Sequence, residues 1–116
     1  MKLLNSIILI AILSSFVFLD SQKGTASYYG NGMHGHRTYS GEKYHKDSLT
    51  AAHKSLPMGT KVLVKNIKND SVVIVKINDR MSSRSSRIID LSMAAAKKLN
   101  FVNAGLTTVT IEIIDK

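Results

Sequence analysis

Residues 60–77, with the sequence TKVLVKNIKNDSVVIVKI, carry the clearest structural pattern in this chain of 116 residues. In the first part, Val62 and Val64 alternate with lysines and a leucine, which predicts a strand with one buried face. Residues 71–77 form a short run of β-branched side chains, as is typical of a buried strand. The polar residues 66–70 between these runs have the length of a hairpin connection. The stretch therefore predicts two neighbouring strands of a small β domain.

Further regular patterns follow towards the C-terminal end. Residues 107–114 alternate between apolar and polar side chains and predict another strand. Residues 91–99 carry apolar side chains at helical spacing and predict one helix, with two lysines suited to the negative end of its dipole. Either Asp90 or Ser92 is placed to cap that helix. Six of the seven glycines lie between residues 24 and 59, so the first half of the chain is predicted to be rich in turns.

These elements leave the arrangement of the strands open. A chain of several short strands must protect its strand edges, and closure into a small barrel is one way to do so. Two packed sheets would also fit the composition, which is that of a globular protein with 44% hydrophobic and 21% charged residues. The patterns therefore predict a single β-rich domain that is either a barrel or a sandwich.

The charge of the chain is strongly positive. Sixteen Lys and Arg residues against eight Asp and Glu give a formal net charge of +8, which indicates a polyanion or an anionic surface as partner. The basic residues are spread singly, and a soluble, solvated surface explains that spacing equally well. The sequence contains no cysteine, which excludes disulfide scaffolds, Cys-ligated metal sites, thiol nucleophiles and lipid attachment.

Residues 1–21 are predicted to be a secretory signal peptide. A basic start at Lys2 precedes an apolar run over residues 3–19, and small or polar residues follow it. That run is shorter than the roughly 20 residues that span a bilayer comfortably, so a retained N-terminal anchor is the less favoured alternative. We therefore expect export to the periplasm or cell envelope, with membrane contact only through this segment if it stays uncleaved. Outside the cytoplasm the available polyanion is the cell wall rather than nucleic acid.

Three loops carry side chains suited to acid–base chemistry. Glu42 lies in a turn, where it is either one of a carboxylate pair or a surface residue paired loosely with Lys43. Asp79 comes directly after the apolar strand, where it is either held by backbone N–H groups or positioned as a general acid or base. His53 ends an apolar segment, and it is either a hydrogen-bonded wall residue or a catalyst.

No metal or cofactor is predicted. His34 and His36 are too close in sequence for a helical pair, and no cluster of Asp, Glu or Cys completes the four ligands of a closed zinc site. Asp90 is assigned to the helix cap, and Arg87 beside it to an ion pair or a glycan contact. The sequence also lacks a phosphate loop and a nucleotide-binding fingerprint.

Five motifs along the mature chain resemble one family. They are GTASYYG (24–30), HGHRTYSGE (34–42), LTAAHKSLPMGT (49–60), INDR (77–80) and RIIDLS (87–92). In this order they resemble the rare lipoprotein A (RlpA)-like domain over residues 24–114. The resemblance implies a mainly β fold, a six-stranded double-psi β-barrel with one short helix, here as a monomeric domain over residues 22–116.

The resemblance also implies an activity. The family's enzymes are lytic transglycosylases that cleave the MurNAc–GlcNAc β-1,4 bond of peptide-poor peptidoglycan strands and leave 1,6-anhydro-MurNAc ends. By position, Asp79, Glu42 and His53 match the family's catalytic residues. Asp79 would act as acid and then as base, and Glu42 would stabilise developing charge or raise the pKa of Asp79. Substrate contacts are expected from Tyr28, Tyr29, Asn78, Arg80 and Arg87.

The chain departs from the family's pattern at two places. Met81 and Ser82 stand where a Gly-Pro pair usually follows the INDR motif, within a serine-rich loop. Asn100 stands where a glycine usually follows the helix, although Asn can also adopt the left-handed conformation. The altered loop favours an alternative, a non-catalytic expansin-like module that binds peptidoglycan or another glycan. A hydrolase that leaves reducing ends is a third possibility.

Overall fold

The computed structural model describes residues 21–115, so the predicted signal peptide, apart from Ser21, lies outside the described residues. These residues form six strands, one short α-helix and a 3₁₀ turn at Asn31–Met33. The elements are β1 (Ser21–Tyr28), β2 (Thr50–His53), β3 (Lys61–Asn66), β4 (Val72–Arg80), β5 (Arg87–Leu91), α1 (Met93–Lys98) and β6 (Thr107–Asp115). Within this range, no helix has the length and apolar character needed to cross a membrane.

The six strands close into a barrel in the order β1-β5-β2-β4-β3-β6. The pairs β1/β5 and β2/β4 are parallel, and the other four pairs are antiparallel. Closure gives every strand a partner on both sides, which removes the open edges that would invite aggregation. The structure thus decides for the barrel over the sandwich and confirms a mainly β fold with one short helix.

The predicted hairpin is present, with one change at its end. Strands β3 and β4 pair antiparallel, and the alternating residues Val62 and Val64 are fully buried as expected. β4 continues past its apolar part to Arg80, because it also pairs in parallel with β2, where Ala52 lies opposite Asp79. Asp79 therefore lies within the strand, and its predicted position after the strand is wrong.

Two strands lie in the half of the chain that was predicted to be rich in turns. β1 begins with polar and small residues, and its Gly24 leaves no room for a side chain, since a Cβ there would lie 2.6 Å from Ile88 Cγ2. β2 has only four residues, all buried between β4 and β5. Neither strand has an alternating pattern of apolar and polar residues. Which of their residues are buried depends on the neighbouring strands of the barrel and not on the strand's own periodicity.

The helix is shorter than predicted and starts later. It covers Met93–Lys98, and Ser92 is its cap, since the Ser92 hydroxyl accepts from the Ala95 N–H at 3.3 Å. Asp90 belongs to β5, so its assignment to the helix cap is wrong. Asn100 adopts the left-handed conformation after the helix, with φ of 55°, as predicted.

A buried amide connects the hairpin to the elements that follow. The side chain of Asn66, which is 2% exposed, donates to the Leu99 carbonyl at 2.8 Å. Its Oδ1 accepts from the Thr107 hydroxyl at 2.9 Å and from the Lys68 N–H at 3.1 Å. One side chain thus ties β3 to the end of α1 and to the start of β6.

Candidate active site

Asp79 is held at the C-terminal end of β4 by three hydrogen-bond donors. Its Oδ2 accepts from the Tyr29 hydroxyl at 2.5 Å, and its Oδ1 accepts from the N–H groups of Tyr39 at 2.8 Å and Arg80 at 2.9 Å. Donors that converge from three segments fix both the position and the orientation of a carboxylate. Asp79 is therefore preorganised, and backbone N–H groups supply two of its three contacts.

The carboxylate of Asp79 lines an open cleft of about 350 Å³. Segments at the C-terminal ends of β1, β4 and β5 contribute to its walls, as do residues of the loop after β4. Its four charged lining residues are two acidic and two basic ones: Asp79, Asp90, Arg80 and Arg87. An open cleft with mixed polar and apolar walls and four fixed charges suits an amphipathic, hydroxyl-rich ligand such as a sugar chain.

Asp79 and Asp90 occupy one row across the barrel wall. Ala52 of β2 lies opposite Asp79 on one side and opposite Asp90 on the other, and Asp90 in turn lies opposite Ser27. Strands two apart are separated by about 10 Å, and the small side chain of Ala52 keeps the space between the two carboxylates open. The register of three strands thus places two carboxylates in one cleft.

Asp90 lines the cleft, a role that the sequence motifs did not predict. Its Oδ1 accepts a hydrogen bond from the Ser27 hydroxyl and lies 3.6 Å from Arg87 Nε. The predicted ion pair of Arg87 is confirmed by this contact. The helix that starts two residues later gave a sufficient local reason for an Asp at this position. Only the parallel pairing of β5 with β1 shows that Asp90 faces the cleft, and no local sequence pattern reports that pairing.

Tyr29 bridges the cleft and the helix. Its ring stacks on that of Tyr44, with centroids 4.5 Å apart and planes 12° apart, and the Tyr44 hydroxyl accepts from the Met93 N–H at 3.0 Å. Burial, followed by the hydrogen bond to Asp79 and the charges of Asp79 and Asp90, raises the pKa of Tyr29 well above its usual value. The Tyr29 hydroxyl therefore keeps its proton and serves as a fixed donor to Asp79.

The two predicted arginines both line the cleft. Arg80 donates from Nη1 to the His53 carbonyl at 3.1 Å, and its guanidinium lies 5.4 Å from the centroid of the Tyr39 ring. Arg87 pairs with Asp90 as described. The guanidinium groups are thus oriented by the protein before any ligand binds, which lowers the entropy lost when they contact an anionic group.

Glu42 does not line the cleft that contains Asp79. Its carboxylate accepts from Lys76 Nζ at 2.8 Å and lies in a separate depression with Lys76 and the buried Asn78. The hydrogen bond from Lys76, against a smaller effect of burial, lowers the pKa of Glu42. The predicted pairing of Glu42 with Lys43 is replaced by the pair with Lys76. Asn78, predicted to contact substrate, likewise faces this depression rather than the cleft.

His53 has the contacts of a hydrogen-bonded wall residue. It is 3% exposed, its Nδ1 accepts from the N–H groups of Ser55 and Leu56, both at 3.1 Å, and its Nε2 lies 3.1 Å from Gln22 Oε1. An acceptor role for Nδ1 requires the tautomer that carries the proton on Nε2, which donates to Gln22. Burial, followed by the charges of Arg80 and Lys54, lowers the pKa of His53. The imidazole borders a different depression from the one that Asp79 lines.

Tyr28, the remaining residue predicted to contact substrate, and the altered loop after Arg80 both belong to the cleft wall. Tyr28 lines the cleft, but its hydroxyl donates to the Val102 carbonyl at 2.7 Å and its ring packs edge-on against Phe101. Met81 and Ser82, the residues that depart from the family's pattern, also line the cleft. The departure therefore changes the wall of the cleft itself.

Within residues 21–115, no group of three or more His, Asp or Glu side chains is arranged to hold a metal ion. His34 and His45 form an edge-to-face pair with ring centroids 4.7 Å apart. Each of these histidines uses Nδ1 to accept a backbone N–H, from Lys46 and Asp47 respectively. The pair thus has a structural explanation in the turn that leads to β2.

Comparisons with known proteins agree with the sequence resemblance. The lytic transglycolase family model matches residues 21–111. The endolytic peptidoglycan transglycosylase RlpA of Neisseria meningitidis serogroup A is 51% identical over 94 residues, which cover 81% of this chain and 39% of that protein. RlpA of Pseudomonas aeruginosa is 50% identical over 92 residues, which cover 79% of this chain and 27% of that protein. The chain thus spans less than half the length of these curated relatives.

Solved structures show the same fold at low sequence identity. A Streptomyces papain inhibitor has a TM-score of 0.65 and 23% identity, over 81% of this chain and 94% of that one. A mutant Clavibacter michiganensis expansin in complex with cellohexaose has a TM-score of 0.65 and 20% identity, over 81% of this chain and 50% of that one. Together with the closed order of six strands, the matches confirm the predicted double-psi β-barrel.

Proposed function

Since this chain belongs to the lytic transglycolase family, we propose that it cleaves the MurNAc–GlcNAc β-1,4 bond of peptide-poor peptidoglycan strands and leaves 1,6-anhydro-MurNAc ends. The relatives named as endolytic peptidoglycan transglycosylases support this substrate class. The observation that carries the proposal is the position of Asp79, a carboxylate fixed by three donors on the wall of an open, charged cleft.

The reaction needs one group that first gives and then takes a proton. Protonated Asp79 donates to the glycosidic oxygen, and the C1–O bond breaks so that GlcNAc leaves with a free 4-hydroxyl. The C6 hydroxyl of MurNAc attacks C1 from the same sugar and forms the 1,6-anhydro bridge. Its proton returns to Asp79, so atoms and charge balance without water.

The surroundings of Asp79 suit this cycle. Tyr29 keeps its own proton and donates to Oδ2, so it stabilises the carboxylate that forms when Asp79 gives its proton away. Asp90 lies across Ala52 in the same cleft and offers a negative charge to the oxocarbenium-like centre that develops at C1. Arg80 and Arg87 are placed for the lactyl or peptide carboxylates of the substrate.

Glu42 and His53 contribute from outside the cleft. Glu42 holds β4 through Lys76, which lies three residues before Asp79 on that strand and donates to the Glu42 carboxylate at 2.8 Å. The His53 carbonyl holds the guanidinium of Arg80. In this proposal both residues keep the catalytic strand in place, and neither exchanges a proton with the substrate.

The protein would act outside the cytoplasm, where its substrate is found, and as a monomer. The closed barrel presents no unpaired strand edge in the described part of the chain, so strand addition offers no route to a dimer. The positive charge would hold the protein on the anionic cell wall.

Product analysis tests the activity. Purified protein is incubated with peptide-free glycan strands, and the products are identified by mass spectrometry. We expect 1,6-anhydro ends from the wild type and a loss of about 10²–10⁴-fold in rate for Asp79→Asn, the contribution of a positioned proton-transfer group. Reducing ends would indicate a hydrolase, and an Asp79→Asn variant as fast as the wild type would refute the assignment.

A second candidate function is glycan binding without cleavage. One observation favours it: Met81 and Ser82, which stand where the family's pattern has a Gly-Pro pair, lie in the wall of the cleft. A changed wall alters the fit of a substrate beside Asp79. Retained binding of glycan strands with no products of either kind would establish this function instead.

A further inference from the structure

Tyr39 is an exposed aromatic residue next to Asp79 that the proposed reaction does not use. Its side chain is 70% exposed, which makes it the most exposed large hydrophobic residue of the described part of the chain. It lies in the turn between the 3₁₀ segment and β2, and it is not part of the cleft wall. An exposed aromatic ring beside a charged cleft is in a position to contact a ligand that extends beyond that cleft.

The turn that carries Tyr39 is fixed to the end of β4. The Tyr39 N–H donates to Asp79 Oδ1 at 2.8 Å, and the next N–H, that of Ser40, donates to the Asn78 carbonyl at 3.1 Å. Within the turn, the Gly41 N–H donates to the Thr38 carbonyl at 3.0 Å, and Gly41 adopts the left-handed conformation with φ of 93°. The backbone at Tyr39 is therefore as well placed as the carboxylate that it contacts.

One neighbour restrains the ring of Tyr39 while most of its surface stays open. The guanidinium of Arg80 lies 5.4 Å from the ring centroid, and Arg80 is itself held by the His53 carbonyl at 3.1 Å. Such a cation–π contact restricts the orientation of the ring and leaves much of its surface in solvent. Because the ring is already restrained, little further side-chain entropy is lost when a flat apolar surface of a ligand stacks on it.

We propose that Tyr39 is a sugar-stacking subsite that extends the Asp79 cleft by one pyranose ring. The axial C–H groups of a β-linked pyranose form a flat apolar face, which matches the exposed face of a tyrosine ring in size and polarity. The inference rests on the proposed function for the identity of the glycan. Because Tyr39 contacts Asp79 through its backbone alone, its ring contributes to the binding of longer strands and not to proton transfer.

The test measures binding in a chain that cannot turn over its substrate. Asp79→Asn keeps an Oδ1 acceptor for the Tyr39 N–H, so it serves as the background for all variants. In this background Tyr39→Ala is compared with Ile74→Ala, which removes an exposed apolar side chain five residues before Asp79, about 16 Å along β4. Peptide-free glycan strands are the probe, and affinity is measured by calorimetry. We expect Tyr39→Ala to weaken binding by roughly three- to tenfold and Ile74→Ala to leave it unchanged.

A fluorescence experiment gives a second readout. The sequence contains no tryptophan, so Tyr39→Trp introduces a single indole. Saturable glycan binding should shift its emission to the blue, because a stacked sugar excludes water from the ring. Equal affinities for Tyr39→Ala and its background, an emission that glycan strands do not move, or no glycan binding by the background would each overturn the inference.

The two proposals fail in different ways. If the wild type binds glycan strands through Tyr39 but forms no anhydro ends, the subsite is supported and the transglycosylase activity is refuted. If Tyr39→Ala in the otherwise wild-type chain forms anhydro ends with unchanged kcat and KM, the activity is supported and the subsite is refuted. A raised KM with unchanged kcat is the result expected when both hold.

Discussion

Single hydrogen bonds fix the position of the Asp79 carboxylate in the cleft. Asp79 depends on donors from Tyr29, Tyr39 and its own strand, and two of the three are backbone groups that mutation of a side chain cannot remove. The Tyr29 hydroxyl is the exception, because it can be deleted without changing the ring.

Tyr29→Phe keeps the stack on Tyr44 and removes one donor from Asp79. The Tyr29 hydroxyl stabilises the carboxylate that forms when Asp79 gives its proton away, so kcat should fall by about tenfold or more. This loss corresponds to the roughly 1.5–3 kcal/mol that a hydrogen bond to a charged group is worth. Steady-state kinetics on glycan strands measure it.

Tyr28→Phe is the matched control for that prediction. Its hydroxyl donates to the Val102 carbonyl and makes no contact with a carboxylate. The kcat of this variant should equal that of the wild type. A loss of equal size in both variants would show that the effect comes from packing and not from the donor to Asp79.

The second carboxylate of the cleft can be identified by comparing two isosteric variants. Asp90→Asn keeps an acceptor for Ser27 and removes a charge that faces the cleft, so we expect kcat to fall by about tenfold or more, equivalent to roughly 1.4 kcal/mol of transition-state stabilisation. Glu42→Gln should reduce kcat less, because its charge is already paired with Lys76 outside the cleft. Steady-state kinetics decide, and a loss for Glu42→Gln as large as that for Asp79→Asn would give Glu42 the direct role.

At residue scale, the motifs predicted part of the geometry of the cleft. Asp79, Arg80 and Arg87 line the cleft as the resemblance implied, because each motif fixes its own local backbone. Glu42, Asn78 and His53 face other depressions, since which side of the barrel wall a residue faces depends on the strands beside it. Asp90 was missed for the same reason.

At the scale of elements, the strands that the sequence predicted correctly are those with a clear local pattern of side chains. The hairpin β3–β4 and strand β6 alternate or carry β-branched runs, and the structure confirms them. β1 and β2 lack such a pattern, because parallel pairing with β5 and β4 places them in the barrel whatever their sequence periodicity. The extension of β4 to Arg80 has the same origin, since β2 supplies partners for its polar end.

Ser92→Ala tests the helix cap that the structure assigns. The Ser92 hydroxyl accepts from the Ala95 N–H and from the Thr50 N–H, at 3.3 and 3.4 Å, and both groups are buried. Loss of a cap residue costs about 1 kcal/mol of unfolding free energy, and the second orphaned N–H should bring the total to about 2 kcal/mol. Urea denaturation measures it, with the exposed Ser83→Ala as control. Equal midpoints for the two variants would contradict the assignment.

The whole molecule should lose stability in mild acid because of one buried imidazole. The pKa of His53 lies below its usual value of 6.5 in the folded state, so the unfolded chain binds the proton more readily. Neutral His53 therefore contributes to the free energy of unfolding above about pH 6.5. This contribution is lost as the pH falls through the lowered pKa of His53 in the folded state.

Thermal unfolding between pH 7.5 and pH 5 measures this effect above the range in which Glu42 titrates. We expect the Tm of the wild type to fall across this range, and that of His53→Gln to fall less, whatever its starting value. His36→Gln, which changes an exposed histidine, should follow the wild type. Parallel curves for all three proteins would assign the acid sensitivity to other groups.

The pairing of the first strand with the last determines how the barrel can fold. β1 runs along β6 from Ser21 opposite Glu112 to Ala26 opposite Thr107, so the ring closes through contacts between residues about 80 to 90 positions apart. Contacts of such sequence separation raise the contact order and slow the search for the native topology. The ring cannot close before β6 is free to pair with both β1 and β3, and the loss of either terminal strand exposes two edges at once. Unfolding should accordingly be all-or-none, and a chain still being synthesised cannot complete its barrel until its last strand has left the ribosome.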